Sequence, residues 1–501
     1  MELPLQPTTV AGIDLGSNSF HMIVVRSNQG GKIEVLDKLR EPVRLAAGLD
    51  EEGNLDPAAM KRGWSALERM GERLRDLPRD RVRAVGTNTL RKAKNGASFL
   101  ERGQQLLGHP VQIISGSEEA RLIFEGVTHS DFIPSGRRFV MDIGGGSTEF
   151  IIGRGFSAEM THSLFMGCVS YSKRFFGDER MTYAHFDAAE LAAAKELRSI
   201  RESFRQSGWD HAFGASGTIR SVAQVLREKG WTTGDVTLAG LDALVDSMVA
   251  QKRVSRLSLE GLDPDRAPVF PGGVSVLRAS FRSLGITRLQ AATGALREGL
   301  AWELLGRTEN RDIREDTVQA FVERYAVDVR HAKRVRETAY ALLEQVREVW
   351  SLDPVVARRF LGWAAELHEI GISIAYTGYH KHDAYILQNA TMPGFSRDEQ
   401  STLASVLRGH RRKLRRKFYK DLPRKTGVFA LGLTVLLRLA AVLHRSRTEE
   451  SLPPICVETP KRERLRLCFP PGWLEQHPLV QADLEGEREY LNPVGVQLEF
   501  A

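Results

Sequence analysis

The sequence predicts an α/β protein built from two related lobes, followed by an all-helical region and a small α+β C-terminal appendix. Three observations predict it. An apolar run ending in Asp, then an aliphatic residue, glycine, small polar residues and a second apolar run, occurs twice. The copies are Ile13-Asp14-Leu15-Gly16-Ser17-Asn18-Ser19-Phe20 and Met141-Asp142-Ile143-Gly144-Gly145-Gly146-Ser147-Thr148-Glu149-Phe150. Around each copy, strand-like and helix-like segments alternate, which is the pattern of α/β layers. Beyond about Asp312 the β-rich runs give way to helical periodicity, until β-rich segments return near Leu452.

Each motif reads as strand, tight turn, strand. After the first come β-rich runs at 20–25 and 32–36, joined by Asn28-Gln29-Gly30-Gly31, a hairpin signal. Residues 57–77 carry apolar side chains at Met60, Trp64, Leu67, Met70 and Leu74, a helical spacing. A strand at 82–86 leads into Thr87-Asn88-Thr89-Leu90-Arg91. Another at 111–115 leads into Gly116-Ser117-Glu118-Glu119 and a helix. Beyond the second motif lie a strand at 149–153 and a helix at 188–206. A short strand then meets Gly214-Ala215-Ser216-Gly217-Thr218, and Thr293 to Gly299 opens a helix to Leu305. Helical patterns follow at 318–325, 332–350 and 355–369, and strands at 455–458 and 465–469. We place the lobes at 1–122 and 123–308, the helical region at 309–445 and the appendix at 446–501.

The 501 residues, 42% hydrophobic and 27% charged, describe a globular chain of several domains. Cys168, Cys456 and Cys468 show no CxxC or metal-ligand spacing, which argues for a reducing compartment and against a disulfide framework. The N-terminus lacks the basic-then-apolar order of a signal peptide, and the apolar run 428–437 is closed by Arg438 before it reaches membrane-spanning length. A cytoplasmic protein without membrane insertion is the expectation. The net charge of +7 suits an anionic partner.

The two motifs carry the chemistry. Small residues let backbone approach a ligand, and successive N–H groups in such turns cradle anions. Two copies suggest a phosphate chain held between two lobes. Asp142 and Glu149 fall on adjacent strands of one hairpin, so both could reach one Mg²⁺. A carboxylate in the Glu118-Glu119 turn could accept a proton from water, or serve only as an acidic helix start. Arg91 offers a planar fork for phosphate, and residues 214–218 form another donor-rich turn. His368-Glu369, His380, His382-Asp383, His410 and His444 are a possible metal cluster of the HD phosphohydrolase type. His-Glu replaces His-Asp there and no distal Asp is evident, so a non-catalytic helical domain is expected. Residues 408–420 hold eight Lys or Arg, a docking surface for a long polyanion or a solvated loop.

Ile-Asp-Leu-Gly-Ser-Asn-Ser-Phe, Thr-Leu-Arg, Ile-Ser-Gly-Ser-Glu-Glu-Ala-Arg-Leu-Ile, Asp-Ile-Gly-Gly-Gly-Ser-Thr-Glu, Gly-Ala-Ser-Gly-Thr and Ala-Leu-Arg-Glu-Gly together resemble the exopolyphosphatase / guanosine pentaphosphate phosphatase (Ppx/GppA) family of the actin-like ATPase superfamily. Leu-His-Glu-Ile-Gly and Ala-Tyr-Ile-Leu-Gln-Asn resemble the C-terminal half of its long bacterial form. The resemblance implies ribonuclease-H-like lobes around a cleft, then an HD-like domain. It makes Glu118 the general base and Arg91 a phosphate ligand. Asp14, Gly16, Ser17, Asn18, Ser19 and Gly144, Gly145, Gly146, Ser147, Thr148 would line the phosphate and metal site, with Ser216, Gly217 and Thr218 nearby. Asp14, Asp142 and Glu149 would serve Mg²⁺ or Mn²⁺. Arg411, Arg412, Arg415 and Arg416 are the expected polyphosphate contacts. The resemblance further implies a homodimer, potassium stimulation and processive release of orthophosphate from inorganic polyphosphate. The alternative substrate is guanosine pentaphosphate. No specific nucleic acid is expected. An actin-like kinase and a non-catalytic polyanion-binding protein are the competing classes.

Overall fold

A computed structural model describes residues 8–27, 33–130, 135–232, 234–308, 312–448 and 452–501. The turn expected at 28–31 lies outside them. The chain forms two compact units, Met1–Arg311 and Asp312–Ala501.

The first unit holds two sheets. β1 (Thr8–Leu15), β2 (Phe20–Ser27) and β3 (Ile33–Glu41) are antiparallel neighbours, while β4 (Val82–Gly86) and β5 (Val111–Ile113) run parallel to β1, in the order β3-β2-β1-β4-β5. In the second sheet β6 (Arg137–Ile143), β7 (Thr148–Arg154) and β8 (Ser157–Leu164) are likewise antiparallel. β9 (His211–Ala215) pairs in parallel with β6, β10 (Val236–Thr237) forms a short antiparallel edge, and β11 (Arg288–Ala291) pairs in parallel with β9. The order is β10-β11-β9-β6-β7-β8. Each sheet is thus an antiparallel meander whose first strand continues into parallel pairing. That is the ribonuclease-H-like lobe, present twice. The central strands β1 and β6 are covered on both faces, so they read as continuous apolar runs ending in Asp14 and Asp142.

Helices cover the sheets: α1 (Pro57–Leu74), α2 (Asn88–Lys92), α3 (Gly96–Leu107), α4 (Gly116–Ser130), α5 (Cys168–Phe175), α6 (Tyr183–Ser207), α7 (Ser216–Glu228), α8 (Leu238–Gln251), α9 (Phe270–Leu284) and α10 (Leu296–Thr308). Local chemistry sets their starts. Asp56 caps α1, its side chain accepting from the Ala59 N–H at 2.6 Å, with proline in the first turn. α6 begins at Tyr183, earlier than apolar spacing alone indicates, because Thr182 caps it. One pair of helices matters most for function. A Cβ at Gly126 of α4 would meet the Ala295 carbonyl oxygen at 2.0 Å, and one at Gly299 of α10 would meet the Leu122 carbonyl oxygen at 1.9 Å. Only glycine allows these two backbones to touch. Gly12 of β1 likewise lies against the Arg297 carbonyl, so α10 returns to the first sheet.

The second unit is helical at its start: α11 (Ile313–Arg324), α12 (Val329–Val346), α13 (Pro354–Leu367), α14 (Tyr379–Asn389), α15 (Arg397–Gly409) and α16 (Arg424–Leu443). Ser396 and Glu399 form a reciprocal capping box at α15. β12 (Cys456–Lys461), β13 (Arg464–Cys468), α17 (Trp473–Gln476), α18 (Pro478–Leu491) and β14 (Gln497–Phe500) follow, the strands in the order β12-β13-β14. Leu465, Leu467, Leu484 and Leu498 belong to the same core as Leu361, Leu403 and Leu436. The appendix therefore shares one core with the helices. Among the described residues α16 alone is long and apolar enough to cross a membrane; it is the central helix of this unit, with Leu433, Leu436, Leu437 and Ala440 fully buried.

Candidate active site

Both motifs form four-residue turns, closed by Leu15 opposite Phe20 and by Ile143 opposite Thr148. Their carbonyls are used from outside. Asn18 and Ser17 oxygens accept from the N–H groups of Arg44 (2.7 Å) and Ala46 (2.9 Å), and Gly144 and Gly145 oxygens accept from those of Cys168 and Val169 (2.9 Å each). The turns meet. A Cβ on Gly145 would approach Ser17 Cβ at 2.9 Å, and Thr89 Oγ1 donates to Ser17 Oγ at 2.8 Å. Between the turns lies a cavity of about 120 Å³ lined by both of them, by the start of α7 and by residues of α4 and α10.

One wall is acidic. Asp14, Glu119 and Asp142 line the cavity. Glu149 lies opposite Asp142 in the β6–β7 register and accepts from Ser163 Oγ at 2.8 Å. Burial, then the charges of Glu119 and Asp142, push Asp14 well above the usual carboxylate range. Burial, then Glu119, raises Asp142 to about 7, against the Ser216 hydroxyl and Arg220, which pull it down. Burial, then Glu119 and Asp142, raises Glu149 strongly. Asp14 Oδ1 and Ser19 Oγ are buried with no hydrogen-bond partner. Mutually repelling carboxylates with an orphan oxygen are the donor set a hard divalent cation relieves. Among the described residues no three of these carboxylates converge on one ion position, so the arrangement suits an ion held by one or two carboxylates, substrate oxygens and water.

The other wall is cationic, and none of its arginines was among the expected site residues. Arg220, Arg266 and Arg297 line the cavity with His21. Burial, then neighbouring guanidinia, lowers both Arg220 and Arg266, as expected of cations crowded together for an anion. Arg297 Nη1 reaches His21 Nδ1 at 3.1 Å, and burial together with that cation drops His21 to about 3, so its ring is neutral. Arg297 lies within Ala-Leu-Arg-Glu-Gly, and Arg220 two residues beyond Gly-Ala-Ser-Gly-Thr. Arg266 carried no signal.

Several sequence assignments change. Glu118 does not face the cleft. It is about 1% exposed and accepts from Arg121 Nε at 2.9 Å and Nη2 at 2.8 Å, with Arg83 at 3.6 Å. Consecutive helical residues point about 100° apart, so the turn that buries Glu118 beneath α4 aims Glu119 at the cavity. Arg91 does not line the cavity either; its Nη1 donates to Glu119 Oε2 and to the Ile114 carbonyl, each at 2.9 Å. Gly146 abuts Asn88, and Thr148 Oγ1 donates to the Met166 carbonyl at 2.5 Å, so both serve packing. Gly16, Ser17, Asn18, Ser19, Gly144, Gly145, Ser147, Ser216, Gly217 and Thr218 do line it. In the second unit the basic stretch is no single surface. Arg411 and Arg412 line a separate cavity, Arg416 Nη2 donates to the Val494 carbonyl at 2.7 Å, and Arg415 precedes a 3₁₀ turn. The histidines regroup as well: His331, unmarked in the sequence, joins His368 and Glu369, while His444 pairs with Thr338 at 2.8 Å and Asp383 accepts from Gly371 N–H.

Residues 23–308 match the model of the Ppx/GppA phosphatase family, and residues 313–488 match that of Ppx/GppA phosphatase, domain III. The chain is 40% identical over 485 residues to the guanosine-5'-triphosphate,3'-diphosphate pyrophosphatase of Aeromonas hydrophila, covering 97% of each chain. It is 41% identical over 503 residues to that of Vibrio atlanticus, covering 100% of this chain and 99% of the relative. Among solved structures, an Aquifex aeolicus Ppx/GppA family member superposes with a TM-score of 0.51 at 25% identity, over 60% of this chain and 99% of the other. An exopolyphosphatase from Cytophaga hutchinsonii superposes with a TM-score of 0.54 at 23% identity, over 60% and 98%, a likeness of fold. The chain belongs to the Ppx/GppA phosphatase family, whose members hydrolyse phosphoanhydride bonds.

Proposed function

We propose that the protein is a guanosine pentaphosphate phosphatase, removing the terminal phosphate of the 5'-triphosphate. The observation that carries this reading is the name shared by relatives about 40% identical over nearly the whole chain. The expected leading substrate, inorganic polyphosphate, becomes the second reading. The one solved exopolyphosphatase cited above speaks for fold alone, and Arg415 and Arg416 lie apart from the cavity that holds Arg411 and Arg412. Kinase and non-catalytic readings do not suit a family of hydrolases.

In this mechanism Glu119 is the general base. Burial raises its carboxylate, and Arg91, by charge and hydrogen bond, holds it in place and opposes that rise. It takes a proton from water as the water oxygen bonds to the terminal phosphorus, and the bond to the bridging oxygen breaks. Orthophosphate and the shortened nucleotide leave. Arg220, Arg266 and Arg297 neutralise the nonbridging oxygens, and N–H groups of the two turns hold the phosphates in line. Mg²⁺ or Mn²⁺ held through Asp142 or Asp14 would offset the phosphate charge and relieve the carboxylate repulsion. Phosphate release from guanosine pentaphosphate, measured beside long-chain polyphosphate at equal phosphate concentration, tests the reading. A higher kcat/KM for the nucleotide is expected; a higher value for polyphosphate would restore the second reading.

A further inference from the structure

The helical unit encloses a cavity of about 140 Å³ that no step above uses. Three imidazoles reach it: His331 on α12, His368 just past α13 and His410 just past α15. His368 Nδ1 lies 2.8 Å from the Ala365 carbonyl and His410 Nδ1 lies 2.7 Å from that of Leu407. A ring nitrogen facing a carbonyl carries the proton, so Nε2 of each ring keeps its lone pair. His410 Nε2 and His331 Nδ1 are buried without a hydrogen-bond partner, in residues about 3% exposed.

The charges around these rings are uneven. Glu369 is taken by Arg447 Nη2 at 2.5 Å, and Glu487 by Arg438 at 2.7 Å. Arg411, which lies over the Tyr379 ring at 4.8 Å, and Arg412 have no carboxylate partner among the described residues. His331, His368 and Glu369 offer ligand atoms within 4.8 Å of one another, a spacing a metal ion could use. Arg447 opposes that use, since its guanidinium already sits on the carboxylate the ion would need. The fixed cation and two guanidinia that have no carboxylate partner among the described residues call for an anion instead. The lone pairs add a second demand, because an imidazole nitrogen without a proton needs a hydrogen-bond donor. Sulfate has none at neutral pH. Orthophosphate supplies both acceptor oxygens and a P–OH.

We propose that this cavity is a second, noncatalytic site that binds orthophosphate, its oxygens accepting from Arg411 and Arg412 and its hydroxyl donating to His410 Nε2. The inference concerns binding only, so it stands or falls separately from the identity of the substrate hydrolysed in the cleft. Calorimetric titration of the full chain in chelator, with orthophosphate and with sulfate, tests it. The wild type is expected to bind orthophosphate at least 10-fold more tightly than sulfate at this site. Arg411→Ala with Arg412→Ala should lose that site while the cleft variant Arg266→Ala keeps it. Arg412→Glu, at an exposed position, guards against a misfolded double variant and should weaken binding at least 10-fold. Equal affinity for sulfate, or unchanged phosphate binding in both Arg variants, would overturn the proposal. So would one tight equivalent of Zn²⁺ in the wild type that His368→Ala abolishes, which would make this a cation site.

Discussion

Glu118 and Glu119 share one helical turn and face opposite environments, so the same substitution should have opposite consequences. Glu119→Gln keeps the shape but removes the proton acceptor beside Asp14 and Asp142. We expect kcat to fall by about 10²–10⁴-fold, far more than any unfolding from the weakened Arg91–Glu119 pair accounts for. Glu118→Gln leaves Arg83 and Arg121 facing one buried carboxylate fewer, and breaking a buried ion pair typically costs about 3–5 kcal/mol. Its signature should be a lower melting temperature, with activity lost in proportion to unfolding. Near-normal turnover in Glu119→Gln would return the base to its neighbour. Asp142 supplies a pH test. Its folded-state value, raised to about 7, means that the folded protein holds a proton the unfolded chain gives up near pH 4. The native state thus binds more protons between those limits, and stability falls as pH rises from about 4 to 7. In chelator, Asp142→Asn should therefore melt higher than wild type at pH 8 and equal to it at pH 3.5. Added Mg²⁺ should narrow the gap at pH 8 by favouring the wild-type carboxylate. A gap that is the same at both pH values would remove this carboxylate from the linkage.

The element that organises the cleft is the α4–α10 pair. α4 carries Glu119 and α10 carries Arg297, one on the acidic wall and one on the cationic wall. Their spacing is fixed by backbone contact at Gly126, Gly294 and Gly299. Arg121 of α4 adds an ion pair to Glu303 of α10 at 2.5 Å, and Arg83 of β4 also contacts Glu303. Gly299→Ala forces a methyl group to within 1.9 Å of a carbonyl oxygen. Overpacking of this kind costs about 1–3 kcal/mol when the helices can shift. That shift would move Glu119 against Arg297. The expected result is a fall in kcat larger than the loss of stability explains, with circular dichroism retained. Gly486→Ala, where a Cβ meets nothing within 4 Å, is the control and should be silent in kcat.

At the scale of the molecule, the two units have separate cores. Among the described residues, Val318 through Leu498 contribute to one, and residues of the two sheets and their helices contribute to four others. Buried residues exchange stabilisation only with those they touch, so we expect scanning calorimetry to resolve two unfolding transitions. Magnesium and the nucleotide should raise the transition of Met1–Arg311, because a ligand stabilises the state that binds it. Orthophosphate in excess should raise the other. A single transition moved equally by every ligand would mean that the units unfold as one.

The lobes were legible in the sequence because they rest on local rules. A strand covered on both faces must be apolar along its length, and a turn that presents N–H groups must be built from small residues, so Asp14, Gly16, Asp142 and Gly144 could be read in order. The helix expected at 57–77 and the strand expected at 82–86 follow from equally local chemistry. The site's second wall could not be read that way. Arg220, Arg266 and Arg297 come from three elements far apart in the chain, and nothing in a single arginine says which face it will occupy. The choice between Glu118 and Glu119 depends on the rotation of α4, which the glycine contacts with α10 and the buried Arg83 and Arg121 decide. Likewise His331 met His368 and Arg447 only through helix packing, and Arg411 lines a cavity while Arg416 opens a 3₁₀ turn and donates to the Val494 carbonyl. Sequence determined which backbone would form and where it would carry donors; tertiary structure decided which charges would face each other, because side-chain direction and long-range packing are properties of the assembled helices and sheets.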